Sequence, residues 1–243
     1  MMDPHFKAML DAQAKAAEGQ AAPPLDALPP DMVRAGYRMQ RQATDQNAPK
    51  DVETRDLKVA GAAGEIPARL YTPAGAAAIT GGLVYRIAVG GDSAGGNLAA
   101  SVASDLKADP KRKIAFQLLL YPGIWPDEET ASRKALDGPL LTKQAIAWFD
   151  KCLAAAGHPQ SHRAMLGKVD CAGLPPALVV TAGFDPLKDE GRDHAERLRA
   201  SGVKVEHAEY PSLIHDFYIM ADVSPAVGEA VRATAASLKA ALA

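Results

Sequence analysis

The residues with the clearest chemical potential are Gly91-Asp92-Ser93-Ala94-Gly95, a serine with glycines at minus two and plus two. An apolar run, Arg86 to Gly90, leads into it, and a small-residue helical segment, Leu98-Ala99-Ala100-Ser101-Val102, follows. Strand, tight turn and helix in that order make a nucleophile elbow, which strains the serine backbone and lifts its hydroxyl clear at the carboxyl end of a strand. The glycines remove side chains that would collide with strand and helix. The helix behind the turn would aim free N–H groups and its positive dipole end at the same spot. The competing interpretation is an ordinary Gly-rich strand-to-helix connection. The similar G-D-S-G-G of chymotrypsin-like proteases belongs to all-β chains, whereas this chain alternates strands and helices.

Serine is a poor nucleophile until a base takes its proton, and the base needs a third group to hold its tautomer. The stretch after one apolar run reads Gly183-Phe184-Asp185-Pro186, and the stretch after the next reads Pro211-Ser212-Leu213-Ile214-His215-Asp216-Phe217. Ser93, Asp185, His215 is the chain order of a triad on a parallel α/β sheet. Asp185 has a rival role as the N-cap of a helix starting at Pro186. Asp189 and Asp193 fall inside that helix and are expected to be exposed. His194 on the helix and His207 inside a strand read as structural. His158 and His162 have i, i+4 spacing, but Pro159 breaks the helix and no zinc motif accompanies them, so no metal site is assigned.

The elements that must hold these residues follow from periodicity. Residues 4 to about 17 read as an amphipathic helix with Asp3 as N-cap, and Asp31 to about Gln42 as a second, both before any strand. Met32, Val33, Gly36 and Met39 give the second helix an apolar side that needs cover. Thr54–Val59 and Ile66–Tyr71 read as short strands, and Leu83–Val89 as the strand feeding the elbow. Ala115–Tyr121 is too uniformly apolar for a one-sided sheet and reads as a buried central strand. A polar, helix-prone insert runs from Trp125 to about Lys168, with one helix around Ala145 to Leu153. Strand 177–181, helix 186–200, strand 203–210 and a final helix from Ser224-Pro225 complete the pattern. The fold class is α/β, a mostly parallel sheet flanked by helices, with ligands expected beyond the carboxyl ends of the strands.

Together these stretches resemble the hormone-sensitive lipase family of α/β-hydrolase carboxylesterases. The resemblance is carried by Gly91 to Ala99, by Asp185-Pro186-Leu187-Lys188-Asp189-Glu190-Gly191 and by His215-Asp216-Phe217, with Tyr121-Pro122, Asp137 to Leu141 and Trp148-Phe149 in support. It implies Ser93 as nucleophile, His215 as general base and then acid, Asp185 as its orienting partner, and the Ala94 N–H as one oxyanion donor. It implies cap helices over residues 1–50, a catalytic domain over 51–124 and 169–243, and a second cap segment over 125–168. It also implies hydrolysis of short-to-medium acyl esters through an acyl-enzyme, with no cofactor.

One departure is large. The family carries a His-Gly-Gly-Gly stretch, then a helix, a strand and a helix, between the segments that Leu83-Val84-Tyr85 and Ile87-Ala88-Val89 resemble. Here only Arg86 separates them. A parallel crossover needs a dozen or more residues, so Leu83 to Val89 is either one strand or a junction at which a segment has been lost. The sheet would then be short of strands, and a homodimer or an exchange of elements between chains would be one remedy for the new edges. Gly81-Gly82 precedes its strand and cannot replace the lost oxyanion donors, each worth ~10² to 10³ in kcat.

The 243 residues carry a net charge of −2 and are 48% hydrophobic, enough for a sizeable core and without the electrostatic footprint of a nucleic-acid or anionic-membrane binder. A small-molecule ester is the expected partner. No signal peptide or membrane anchor is visible, and Cys152 and Cys171 read as reduced residues of a cytoplasmic protein. The alternative function is a catalytically silent relative that binds a small ligand under the cap.

Overall fold

The computed structural model describes residues 1–19, 23–44, 51–61, 64–73, 87–125, 129–155 and 165–243. In chain order its elements are α1 (Pro4–Ala17), α2 (Pro30–Thr44), β1 (Val52–Gly61), β2 (Gly64–Pro73), β3 (Ile87–Asp92), α3 (Ala94–Leu106), β4 (Ile114–Leu120), α4 (Ala131–Ala135), α5 (Lys143–Ala155), β5 (Ala177–Phe184), α6 (Lys188–Ala200), β6 (Val205–Ile214) and α7 (Pro225–Leu242). By internal contacts the chain divides into two compact units, residues 1–28 with 86–243, and residues 29–85.

The larger unit is built on a four-stranded parallel sheet in the order β3-β4-β5-β6. The uniformly apolar runs take the two inner places, β4 and β5, where both strand faces must be covered. Side chains alternate along these strands between two core clusters. Leu119 and Val179 pack with Ala99, Ala100 and Ala103 of α3 and Ala195 and Leu198 of α6. Phe116, Leu178 and Val180 pack with Phe6 of α1, Phe217, and Val227 and Ala230 of α7.

Pro211 reads in the sequence as the start of a loop, yet it lies inside β6, which runs on to Ile214. The reason is position. The ladder with β5 is bulged there, running from Ala182↔Tyr210 to Phe184↔Ile214, and β6 is the outer strand of the described sheet, so a residue with no N–H is tolerated. β5 likewise extends three residues past Thr181, to Phe184. Asp185 and His215 therefore follow the last residues of their strands directly.

Phe6 is fully buried, and Asp3 accepts hydrogen bonds from the His5 and Phe6 N–H groups, capping α1. The other Asp3 carboxylate oxygen accepts from Ser224 Oγ at 2.8 Å, and the Asp3 N–H donates to the Ser212 carbonyl at 2.9 Å. Ser224 in turn caps α7 through the Ala226 N–H.

In the smaller unit β1 and β2 form an antiparallel hairpin, paired from Val52↔Pro73 to Gly61↔Gly64. Met32 and Met39, on the side of α2 expected to be covered, are exposed. Of the expected strand Leu83–Val89, residues 83–86 lie outside the described residues, and β3 begins at Ile87.

Candidate active site

Three strand ends converge at one edge of the parallel sheet. Ser93 follows β3 and precedes α3 with φ 52° and ψ −116°, a backbone conformation that costs energy for a residue with a Cβ. Its N–H donates to the Leu120 carbonyl at the end of β4. The turn closes so tightly that a Cβ on Gly91 would lie 2.3 Å from the Gly95 carbonyl carbon. The expectation that Gly95 is needed for the same reason is not met. A Cβ there would find only Asp92 Oδ1, at an ordinary 3.6 Å, and it is Gly96 that meets the chain, 2.8 Å from Pro122 Cβ.

His215 Nε2 lies 2.9 Å from Ser93 Oγ, and His215 Nδ1 lies 2.8 Å from Asp185 Oδ2. A carboxylate only accepts, so Nδ1 carries the proton toward Asp185, and the Nε2 lone pair faces the serine hydroxyl. Asp185 is fully buried and His215 nearly so, while Ser93 is half-buried and Ala94 exposed, which leaves the hydroxyl accessible. The two roles weighed for Asp185 are compatible. Its Oδ1 accepts from the Leu187 N–H at 2.8 Å just ahead of α6, while Oδ2 serves the histidine. Burial draws the His215 pKa down, but the charge and hydrogen bond of Asp185, with Asp216 and Asp92 beyond it, carry it above its ordinary value. The Tyr121 ring packs against the imidazole with centroids 4.9 Å apart.

Ala94 opens α3, and the N–H of a first helical residue has no acceptor within its own helix. That N–H lies one peptide from the nucleophile, where an oxyanion donor is needed.

The remaining histidines are elsewhere. His207 Nε2 is 2.9 Å from Thr181 Oγ1. Burial, with Arg197 nearby, pushes His194 down to about 4, so it stays neutral. His158 and His162 lie outside the described residues. Among the described residues no group of three or more His, Cys, Asp or Glu could hold a metal. Cys152 and Cys171 are free thiols, the latter in the core.

Residues that local pattern did not single out tie the insert to the site. Asp189, expected on an exposed helix face, is buried, and its carboxylate accepts from the Ser132 N–H at 2.8 Å. Ser132 Oγ donates to the Pro186 carbonyl at 2.7 Å. Glu190 is buried beside it and accepts from the backbone N–H groups of Ile124 and Trp125. A clue existed in sequence: two adjacent acids open a helix directly after Asp185-Pro186-Leu187. Their partners, 57 to 66 residues away, could not be read there.

A family model described as the alpha/beta hydrolase fold matches residues 69–219. The chain is 40% identical over 172 residues to carboxylesterase NlhH of Mycobacterium tuberculosis, covering 68% of this chain and 54% of that protein. It thus spans about half the length of the curated relatives it matches. Among solved structures, ester hydrolase EH1AB1 from the metagenome of Lake Arreo superposes with a TM-score of 0.85 at 27% identity, covering 99% of both chains. A thermostable esterase from Pseudomonas putida ECU1011 gives 0.85 at 25% identity, covering 100% of this chain and 98% of the other.

Proposed function

The chain belongs to the hormone-sensitive lipase family of α/β hydrolases, and from that premise we propose that it is a serine carboxylesterase acting on short-to-medium acyl esters. The observation that carries the proposal is the hydrogen-bonded relay from Ser93 Oγ to His215 Nε2, 2.9 Å, and from His215 Nδ1 to Asp185 Oδ2, 2.8 Å. Ser93 Oγ attacks the ester carbonyl carbon while His215 Nε2 takes its proton, and Asp185 stabilises the resulting imidazolium. The Ala94 N–H, at the positive end of α3, receives the oxyanion. His215 returns the proton to the departing alcohol, leaving an acyl-Ser93. Water, deprotonated by His215 Nε2, attacks the acyl carbon; the bond from that carbon to Ser93 Oγ breaks, His215 returns the proton to Oγ, and the acid departs. Residues 125–168 are proposed as a cap segment that selects the acyl chain.

A second reading, a silent relative that binds a small ligand, is favoured by one observation: a single residue, Arg86, stands where the family carries its His-Gly-Gly-Gly loop. A burst assay separates the two. With a p-nitrophenyl short-chain ester the chain is expected to give a burst followed by steady turnover, both abolished in Ser93→Ala. A folded protein no faster than Ser93→Ala leaves the ligand-binding reading.

A further inference from the structure

We propose that Glu190 is a positioning residue for the oxyanion donor: through the Gly123–Trp125 loop it sets the direction of the Ser93–Ala94 peptide. The proposal deepens the esterase reading and rests on it. Glu190 is 1% exposed, and its Oε2 accepts from the N–H groups of Ile124 at 2.7 Å and Trp125 at 2.8 Å. Its Oε1 accepts from Arg133 Nε of α4 at 2.9 Å. All three partners are donors.

The loop so held is unusual. Tyr121 has φ 34° and Trp125 φ 48°, two non-glycine residues in the left-handed region within five positions. Such conformations persist only where the surroundings over-determine them. Between them, the Gly123 N–H donates to the Ser93 carbonyl at 3.2 Å, and the Gly123 carbonyl accepts from Asn97 Nδ2 at 2.8 Å. The Asn97 N–H also donates to the Ser93 carbonyl, at 3.2 Å.

In a planar trans peptide the C=O and the following N–H point in opposite directions. Fixing the Ser93 carbonyl therefore fixes the Ala94 N–H. With no His-Gly-Gly-Gly loop in the sequence, more of the oxyanion's stabilisation depends on that one donor. The insert shares the anchor. The Arg133 guanidinium lies 5.4 Å over the Trp125 ring, and Trp125 Nε1 donates to Asp150 of α5 at 2.8 Å. A carboxylate kept only for stability could be replaced by any group that folds. One that aims a donor cannot.

The test uses the full chain and its Glu190→Gln variant, whose amide NH2 must face a donor. Two quantities are measured: kcat and KM on p-nitrophenyl butyrate, and affinity for butylboronic acid, whose Ser93 adduct places an anionic oxygen at the oxyanion position. At a temperature where circular dichroism shows both folded, kcat is expected to fall ~10- to 100-fold with KM within about twofold, and boronate affinity to fall with kcat. A folded Glu190→Gln whose kcat and boronate affinity match the wild type overturns the proposal, as does a rise in KM alone. Should Glu190→Gln not fold, Asn97→Ser, which removes the same loop's other tie, is read by the same criteria. A wild type lacking Ser93-dependent turnover overturns the esterase reading instead, and Ser93-dependent boronate capture then decides the role of Glu190.

Discussion

The imidazole of His215 stands between burial, which draws its pKa down, and the carboxylates of Asp185, Asp216 and Asp92, which carry it net above its ordinary 6.5. Only the neutral ring can take the Ser93 proton. A raised pKa keeps the ring protonated to higher pH, so activity is lost sooner on acidification than an ordinary histidine would allow. The acid limb of kcat/KM against pH is accordingly expected to have its midpoint above 6.5. A midpoint below that value would mean that desolvation outweighs the carboxylates. His194, neutral down to about 4, does not contribute to this limb.

At the scale of elements the elbow makes unequal demands on its glycines. Gly91→Ala drives a Cβ to 2.3 Å from the Gly95 carbonyl carbon and is expected to cost roughly 1–3 kcal/mol or more, read from urea midpoints. Gly95→Ala has room, lies within α3 and is expected to leave stability within about 0.5 kcal/mol or to raise it. The order reversed would contradict the turn geometry described here. This inequality was not legible in the sequence, where both glycines fit one motif. What was legible is what repeats locally. The apolar runs of β4 and β5, the helical periods of α1 and α5, and the strand-turn-helix at Ser93 all announce themselves within a dozen residues. Strand ends were not, because Pro211 reads as a stop unless one knows that the ladder of β6 with β5 is bulged there. Nor were the burials of Asp189 and Glu190, which depend on Ser132, Arg133 and the 121–125 loop arriving from elsewhere in the chain.

At the scale of the molecule, the start of the chain is fastened to its last third by one side chain. Asp3 caps α1 with one oxygen and takes the Ser224 hydroxyl with the other, next to a fully buried Phe6. Asp3→Ala is expected to lower unfolding stability by about 1–3 kcal/mol, with Asp3→Asn recovering most of the loss, since an amide oxygen still caps the helix. Equal losses for the two would point to charge rather than capping. The same link sets an order in time. Ser212 and Ser224, which bond Asp3, and Phe116, Phe217, Val227 and Ala230 of the cluster that buries Phe6, all lie at or beyond residue 116. A ribosome adding roughly 5–20 residues per second reaches Ser224 only about ten seconds or more after Phe6 has been made. The helix α1 is made well before the segments that fasten it, and through that interval its phenyl ring is a surface that a chaperone can hold.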